Sequence, residues 1–381
     1  MKIVHFIPML TKGGGERVVV DLANAAISEG HEVTVLAAFP VDEALLANRL
    51  SSKIELRFIS ANPSGRIRRY VASLIWLVSN WKWIVSKEIF HCHLTQGSVL
   101  GALIHFLRRK YGGNHPAVIE TYHAVGMPIP KWHRRIHAWL CTQHDGVVLM
   151  AKDRFWTEFI RKHPRLPTIH IPNGVDSKLG KENINLQFNY RKSVNIPTSC
   201  KIVVGTVGQF RKERSPHLLA DIFVRLARKF PDNVHFLMIG DGAQLAPVRS
   251  WIKNEGLEAR IHTPGLSYNP YLPMSVMDLY LTLNVGPTTG IAALEAVFVG
   301  VPVIALQLDT NFQPSSNDWI WSNNDVQTVT EHMAELIKDA KARLNLVNRQ
   351  LAHAQHYHTI ANMHSAYFDF YLKVISGLQR N

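Results

Sequence analysis

The first forty residues alternate between short apolar runs and an amphipathic stretch. Residues 2–7 form a β-branched run that ends before Pro8, and residues 31–37 form a second apolar run. Between them, a glycine cluster at 13–15 precedes a helical pattern over residues 16–29. Short apolar runs bounded by glycine or proline indicate buried strands, and an intervening helix makes such strands parallel neighbours. The segment therefore predicts one strand–helix–strand unit of a parallel sheet.

The same alternation of apolar runs and helical patterns continues through the first half of the chain, is interrupted once, and resumes in the second half. Further strands are predicted in the first half at 54–59, 89–93, 117–121 and 146–150. The polar stretch 176–199 has little periodicity and marks a domain boundary. In the second half we predict strands at 201–207, 234–239, near 261, at 278–283 and at 302–305, helices at 216–230 and 290–299, and mostly helix from 328 onwards.

Two α/β domains account for this repetition. A chain of 381 residues is too long for one ordinary core and suits two domains of similar size. We predict a Rossmann-like N-terminal domain over residues 1–175 and a Rossmann-like C-terminal domain over 176–355. For the last helix, over residues 356–381, packing back on the N-terminal domain is one arrangement that we consider. Both domains should be doubly wound parallel sheets, with ligands bound in a central cleft at the carboxyl ends of the strands.

The charge of the chain predicts anionic partners. The formal net charge is +13, which suits nucleic acid, an acidic membrane surface or phosphate-bearing substrates. The basic residues are scattered and form no recognised nucleic-acid motif, so we expect no nucleic-acid partner. The N-terminus lacks the pattern of a secretory signal, and the three cysteines are far apart, which predicts a cytoplasmic protein with reduced thiols.

The most apolar stretch is too short and too interrupted to span a bilayer. It covers residues 70–85 and contains three tryptophans, with cations before it and toward its end over 66–87, and a similar mixture recurs at 131–139. Such mixtures suit a membrane interface, and a core helix with a solvated basic end is an equally good interpretation. His91 and His93 share one face of a predicted strand, but we disfavour a metal site there.

Three loops carry candidate chemistry. Gly14 and Gly15 open a helix, where free N–H groups favour an anion, although a tight turn would also explain them. Gly208 is followed by Arg211 and Arg214, which suit a pyrophosphate unless the loop is merely solvated. The third loop also opens a helix, so its hydroxyls and N–H groups can bind phosphate; it contains Thr288, Thr289 and Gly290. One turn further, Glu295 can accept hydrogen bonds from ribose hydroxyls or can be an ordinary surface residue.

Together these features resemble the retaining GT-B glycosyltransferases of family 4 over nearly the whole chain. Gly14, Gly15 and Glu16 are similar to the family's N-terminal glycine loop, and His123 is similar to its donor-sugar histidine. Residues 173–176 match the interdomain Asn-Gly-Val-Asp, and further matches lie at 240–242 and 294–303. The resemblance implies a donor site that contains Gly240 and Glu295, with Glu16 on the acceptor side.

The chain departs from the family pattern at two places. Gln209 stands where the family commonly has arginine, and Arg214 stands where it has lysine, so we expect Arg211 to supply the missing charge. The first of the family's paired glutamates falls on Pro287, which offers no side-chain hydrogen bond. Either the neighbouring threonines replace that contact, or donor preference has changed, or catalysis is lost. We favour an active enzyme.

The resemblance implies transfer of a sugar from a nucleotide-diphosphate donor, for which we expect UDP, to a saccharide acceptor. We expect no cofactor and no metal, because Arg211 and Arg214 can stabilise the leaving diphosphate, with His123 as a sugar contact. The acceptor is expected to be lipid-linked, in assembly of a bacterial surface polysaccharide or lipopolysaccharide, with the enzyme peripheral on the inner face of an anionic membrane. A GT-B nucleotide-sugar epimerase and a catalytically silent sugar-nucleotide-binding protein are the alternatives.

Overall fold

The chain folds into two compact units, each built around one parallel sheet. The computed structural model describes residues 1–11, 13–40, 46–60, 65–111, 113, 115–123, 129–267, 269–284, 289–308 and 319–380. The N-terminal unit comprises Met1–Gly174 together with Ile360–Asn381, and the C-terminal unit comprises Val175–Thr359. Helices alternate with parallel strands in both units, which confirms the predicted fold class of two doubly wound domains.

The sheet of the N-terminal unit has seven strands. From one edge to the other they are β3 (Glu55–Phe58), β2 (Glu32–Ala37), β1 (Lys2–Ile7), β4 (Ile89–His93), β5 (Ala117–Tyr122), β6 (Gly146–Leu149) and β7 (Thr168–His170). The central strands are buried on both faces, which is why the sequence shows continuous apolar runs there rather than alternation. The strand order reverses between β1 and β4, so this sheet has its topological switch point between those strands.

Among the described residues of its first segment, the N-terminal unit has six α-helices. They are α1 (Gly14–Ser28), α2 (Arg66–Ser79), α3 (Trp81–Val85), α4 (Leu94–Lys110), α5 (Lys131–Cys141) and α6 (Arg154–Lys162). The apolar stretch of the sequence is divided between α2 and α3 at Asn80, whose side-chain amide donates to the Trp76 carbonyl at 2.9 Å. Local caps also fix boundaries: the Asp153 carboxylate accepts from the Trp156 N–H at 2.7 Å at the start of α6.

The sheet of the C-terminal unit has six strands. In order they are β10 (Ile261–Gly265), β9 (Val234–Ile239), β8 (Ile202–Val207), β11 (Leu279–Asn284), β12 (Val303–Gln307) and β13 (Ser322–Asn323). Every pair is parallel, and the order reverses between β8 and β11. The second switch point therefore lies beside the loop that follows β8.

In the part of the C-terminal unit that the structure describes, there are seven α-helices. They are α7 (Ile184–Ser193), α8 (Pro216–Lys229), α9 (Leu245–Asn254), α10 (Tyr271–Ser275), α11 (Ile291–Val299), α12 (Val326–Lys338) and α13 (Ala340–Tyr357). Helix α7 lies within the polar stretch 176–199, where the sequence shows little periodicity. No residue of α7 is fully buried, so its apolar positions show no helical stripe, and Asn183 caps it by accepting from the Asn185 N–H at 2.8 Å.

The last helix returns to the N-terminal unit and covers one face of its sheet. It is α14 (Ile360–Gln379), which follows the whole of the C-terminal unit in the chain. The Tyr371 hydroxyl lies 2.6 Å from Nδ1 of His91, and the Tyr367 hydroxyl lies 3.0 Å from the Thr121 hydroxyl. Phe370 packs so closely that a Cβ at Gly146 would come within 2.9 Å of it. Among the described helices, none combines the length and apolar character needed to cross a bilayer.

Candidate active site

The glycine-rich loop after β1 lies against His123. Gly13 precedes α1, and its carbonyl accepts from the Arg17 N–H at 3.1 Å. A Cβ atom at Gly15 would lie 3.5 Å from both Cγ and Nδ1 of the His123 ring. Two of the predicted site positions, Gly15 and His123, are thus neighbours at the carboxyl edge of the first sheet, where Gly14 begins α1.

The charged residues of this loop have partners within the N-terminal unit. The Thr11 hydroxyl donates to Oε1 of Glu16 at 2.5 Å. The Arg17 guanidinium donates from Nε to both carboxylate oxygens of Asp21, at 2.8 and 2.9 Å. Arg17 is therefore held along α1, whereas Glu16 is half-buried beside the glycines, where a carboxylate can accept from a sugar hydroxyl.

His123 is a neutral side chain at physiological pH. Burial lowers its pKa to about 4, against the opposing charge of Glu120. A neutral imidazole has one N–H donor and one nitrogen acceptor. His123 therefore acts through oriented hydrogen bonds and not as a cation.

The basic loop after β8 lies at the second switch point. The Gly208 N–H donates to the Ile239 carbonyl at 2.9 Å, and the loop then forms a single 3₁₀ turn over Lys212–Arg214 before α8. Arg211 and Arg214 are both exposed residues. Desolvation of its guanidinium group and the like charge of Arg211 lower the pKa of Arg214 from its ordinary value. Two repelling guanidiniums at a strand end are suited to an anion, which would relieve the repulsion.

Gly240 and Gly242 let two loops pass each other closely. Their φ angles are +141° and +145°, a region that favours glycine. A Cβ at Gly240 would lie 1.8 Å from the Gly208 carbonyl oxygen, and one at Gly242 would lie 2.6 Å from the Phe210 carbonyl oxygen. The Phe210 N–H also donates to the Asp241 carbonyl at 2.9 Å. These glycines therefore hold the basic loop in place, and this backbone role accompanies the donor-site role predicted for Gly240.

Glu295 is buried beneath this edge of the sheet rather than on a helix surface. It is 5% exposed, and its Oε1 accepts from the Tyr271 hydroxyl at 3.0 Å. The hydroxyl of Tyr280, on β11, donates to the Val207 carbonyl at 2.9 Å. Burial raises the pKa of Tyr280, and the charges of Glu295 and Arg214 act on it with opposite signs. Arg214 follows β8 and Glu295 lies on the helix that follows β11, so both predicted donor-site residues belong to the second switch point.

The helix that carries Glu295 begins with an open end. α11 starts at Ile291, with Gly290 as a glycine N-cap that provides no side-chain hydrogen bond. A Cβ at Gly290 would meet nothing within 4 Å. Residues 289–292 are partly exposed, so the first N–H groups of α11 are candidates for binding an anion, with Thr289 immediately before them. Thr288 and Pro287, the other predicted positions here, lie outside the described residues.

Four histidines line the polar face of the first sheet. His5, His91 and His93 place one ring nitrogen each within 4.8 Å of one another, a spacing at which they can hold a metal ion. His93 also contacts His123, with 3.0 Å between Nδ1 and Nε2. The sequence showed that His91 and His93 share a face but not that His5 joins them, because only the pairing of β1 with β4 brings them together.

A buried carboxylate lies on the opposite face of β5. Glu120 is fully buried and accepts a hydrogen bond from the Ser98 hydroxyl at 2.5 Å and another from His137. Burial alone would raise the pKa of Glu120, but hydrogen bonds and charges from His137, His144 and Ser98 outweigh it and lower the pKa. Glu120, His137 and Cys141 form a second group of potential metal ligands. Its described contacts attach α4 and α5 to the sheet.

The outer surfaces of α2, α4 and α5 form an exposed apolar face. Helix α4 lies against both of the others. The exposed side chains of this face are Tyr70, Val71, Leu74, Ile75 and Val78 on α2, Leu103 and Phe106 on α4, and Trp132, Ile136 and Trp139 on α5. A groove of about 200 Å³ lies between α2 and α4. Exposed cations, Lys131 and Arg135, lie beside the tryptophans of α5. We refer to this surface as the apolar face.

Other residues that suggested a membrane interface instead make contacts within the protein. Trp76, Trp81 and Trp83 are half-buried and pack against the core. Lys87 is 6% exposed, with Nζ 2.6 Å from the Glu32 carboxylate. The tryptophans of segment 66–87 therefore contribute to core packing. The residues of this segment that remain candidates for a membrane interface are the exposed aliphatic side chains of α2.

Comparisons with known proteins agree in both halves of the chain. Residues 12–179 match the family model described as Glycosyltransferase Family 4, and residues 187–352 match the one described as Glycosyl transferases group 1. The chain is 21% identical over 363 residues to N-acetyl-alpha-D-glucosaminyl L-malate synthase of Bacillus anthracis, covering 92% of this chain and 91% of that protein.

Solved structures of glycosyltransferases share the fold. Anabaena HepE, crystallised with UDP and glucose, has a TM-score of 0.78 at 17% identity and covers 97% of this chain and 98% of its own. WaaG, a glycosyltransferase involved in lipopolysaccharide biosynthesis, has a TM-score of 0.68 at 13% identity and covers 96% and 98%. At these identities the likeness establishes the GT-B fold.

Proposed function

Because the chain belongs to the glycosyltransferases of group 1 and family 4 and has the GT-B fold, we propose that it moves a sugar from UDP to a saccharide acceptor with retention of configuration. The donor site is assigned to the C-terminal unit. A neighbour of this fold, HepE, was crystallised with UDP and glucose, which supports a uridine donor. The acceptor in this proposal is a lipid-linked saccharide of a bacterial surface polysaccharide, and the role of WaaG in lipopolysaccharide biosynthesis supports that class.

The observation that carries the proposal is the placement of Arg214 and Glu295 after β8 and β11, the two strands that are neighbours at the second switch point. Both act electrostatically on the Tyr280 hydroxyl, although they come from different elements of the C-terminal unit. A buried carboxylate suits the neutral hydroxyls of a ribose, and exposed guanidiniums suit a diphosphate. Opposite charges on the two elements that follow these strands thus match the two ends of a nucleoside diphosphate.

The chemistry follows from the leaving group. As the bond between the sugar's anomeric carbon and the diphosphate oxygen breaks, negative charge grows on the diphosphate, and Arg211, Arg214 and the open start of α11 stabilise it. The acceptor hydroxyl attacks the anomeric carbon from the same face, and its proton passes to the departing phosphate. His123 contacts the donor sugar as a neutral ring. In this proposal the protein's own cations, not a metal ion, carry the charge.

The proposal is tested first by ligand binding and then by product analysis. UDP and UDP-glucose should raise the melting temperature at millimolar concentration, because a ligand that binds only the folded state stabilises it. Incubation with a lipid-linked oligosaccharide acceptor should then yield an elongated saccharide. Binding without transfer or hydrolysis would indicate a silent sugar-nucleotide-binding protein, and an epimerised nucleotide-sugar without acceptor would indicate an epimerase. No stabilisation by any nucleotide would overturn the donor site.

Variants locate the donor site. Glu295→Ala and Arg214→Ala should each weaken UDP binding about 10- to 150-fold, since a hydrogen bond to a charged group contributes roughly 1.5–3 kcal/mol. Lys253→Ala, which removes an exposed cation of α9, is the matched control and should bind UDP as the wild type does. Wild-type UDP affinity in both site variants, measured by calorimetry, would remove the assignment.

We further propose that the apolar face binds an anionic membrane surface from the cytoplasmic side. On α5, Trp132, Arg135, Ile136 and Trp139 recur at helical spacing and form one exposed stripe. Tryptophan beside cations and exposed aliphatic side chains is typical of an interfacial helix, and each nearby cation contributes about 1 kcal/mol at an anionic leaflet. An enzyme held in this way would meet a lipid-linked acceptor at the surface where it is embedded.

Vesicle sedimentation tests the membrane proposal. The double variant Lys131→Glu/Arg135→Glu should bind vesicles that contain anionic lipid at least about tenfold more weakly, since two attractive charges become repulsive. The control Lys229→Glu/Lys253→Glu changes the net charge equally, but its residues lie on α8 and α9. Equal sedimentation of wild type and α5 variant would leave a soluble acceptor as the better account. UDP affinity should be unchanged in both variants.

A further inference from the structure

Three histidines form a hydrogen-bonded row that ends at the glycine loop. Nδ1 of His5 lies 3.3 Å from Nε2 of His93, and Nδ1 of His93 lies 3.0 Å from Nε2 of His123. The remaining nitrogen of His123, Nδ1, lies beside Gly15. The row therefore runs from the interior of the N-terminal unit to the place where α1 begins.

The sheet register builds this row. His5 on β1 pairs with His91 on β4, and His93 pairs with Thr121 on β5. Side chains alternate along a strand, so His91 and His93 point to one face, and His123 follows Thr121 by two residues. The three members come from separate parts of the chain that are neighbours only because β1, β4 and β5 are adjacent at the switch point.

Burial disfavours the protonated form of all three rings, and a hydrogen-bonded row of neutral rings has a direction. Burial and then the charge of His364 lower the pKa of His5 to about 3, and burial lowers the pKa of His123 to about 4. Burial, followed by the charges of the neighbouring histidines, lowers the pKa of His93 well below its ordinary value. Each neutral ring has one donor and one acceptor, so the proton position on one ring fixes that on the next.

We propose that His93, supported by His5, is a positioning residue that holds His123 in one ring orientation and one tautomer, with Nδ1 directed past Gly15. This inference rests on the proposed role of His123 as the contact to the donor sugar. A ring with a fixed tautomer offers the sugar hydroxyl either a donor or an acceptor, not a mixture of both. Such preorganisation favours the reactive geometry without adding a charge to the site.

His91 provides a contrast within the same cluster. Its Nδ1 lies 2.6 Å from the Tyr371 hydroxyl, and its Nε2 lies 2.7 Å from the Thr121 hydroxyl. Both nitrogens are thus engaged with hydroxyl groups and not with His123. His91 could instead join His5 and His93 in binding a metal ion, which would displace these hydrogen bonds.

The first experiment needs no activity. Protein labelled with ¹⁵N-histidine is studied by NMR without ligand at pH 7, and the His123 signals are assigned by their loss in His123→Gln. We expect one neutral tautomer in the wild type and a mixture in His93→Gln. His93→Asn, whose amide lies near the Nδ1 position, should retain the single tautomer. A mixture or a protonated ring in the wild type, or an unchanged His123 in His93→Gln, would overturn the proposal.

The second experiment is a double-mutant cycle on transfer. His93→Gln should lower kcat/KM about tenfold while the Kd for UDP is unchanged, and it should have no further effect in a His123→Ala background. Tyr371→Phe, which removes a buried hydroxyl from the same cluster, is the control for structural damage and should transfer at the wild-type rate. Equal effects of His93→Gln in both backgrounds would show a merely structural role.

Two further outcomes are distinguishable. One equivalent of zinc in the purified protein, bound in the wild type and lost in His93→Gln, would overturn the row in favour of a metal site. If the tautomer responds to His93 as expected but no nucleotide-sugar is bound or transferred, the positioning holds and the proposed function fails.

Discussion

The folded protein should lose stability as the pH falls below about 6.5, and His5 should account for a measurable share of the loss. His5 is 1% exposed, and burial followed by the charge of His364 lowers its pKa to about 3. The unfolded chain, with a histidine pKa of about 6.5, binds a proton that the folded protein excludes. At pH 5 this proton stabilises the unfolded state by about 2 kcal/mol, and at pH 7 by almost nothing.

Urea unfolding of the wild type and of His5→Gln at pH 7 and pH 5 measures this share. The free energy of unfolding that is lost between pH 7 and pH 5 should be about 2 kcal/mol smaller in His5→Gln than in the wild type. This difference does not depend on how much stability the substitution itself costs at pH 7. His217→Gln, which removes an exposed histidine of α8, is the control and should lose as much as the wild type. An equal loss in His5→Gln and wild type would refute the account of His5 as a buried neutral ring.

Three further predictions concern packing and the site. Gly240→Ala should lower stability by roughly 3 kcal/mol or more, seen as a large drop in melting temperature, because its φ is +141° and its Cβ would overlap a carbonyl oxygen. Asp145→Asn should cost roughly 3–5 kcal/mol in the same assay, because Asp145 pairs through both oxygens with buried Arg108, at 2.8 Å each. Gly15→Ala should fold normally since its Cβ would only touch His123 at 3.5 Å, whereas Gly15→Leu should displace that ring and lower transfer without weakening UDP binding.

Much of the fold was predictable because the strands are buried on both faces. The predicted strands 2–7, 89–93 and 234–239 coincide with β1, β4 and β9, whose continuous apolar runs carry a strong signal. Helix α7 was missed because it packs only one partly buried side and shows no clear stripe. Hydrophobic periodicity arises because one face of an element is buried. An element with little buried surface therefore has only a weak periodic signal in its sequence.

The candidate site was predictable only where one segment carries it. The basic loop follows β8 directly and Glu295 lies on the helix that follows β11, so their place near the edge of the sheet could be expected from the sequence. The row from His5 to His123 could not, because it depends on strand order, and three isolated histidines far apart in the chain predict nothing about each other. The closeness of Gly240 to Gly208 likewise depends on the path of two loops.

The return of α14 to the first sheet has a consequence for biosynthesis. Ribosomes make the chain from its N-terminus, so every strand of the N-terminal unit is synthesised before α13, and α14 follows only after that. Until it arrives, the face that holds His91 and Thr121 lacks the hydroxyls of Tyr371 and Tyr367 and is open to water. The N-terminal unit is therefore begun first and completed last. Its nascent form must remain unfinished, and dependent on protection from aggregation, throughout translation of the C-terminal unit.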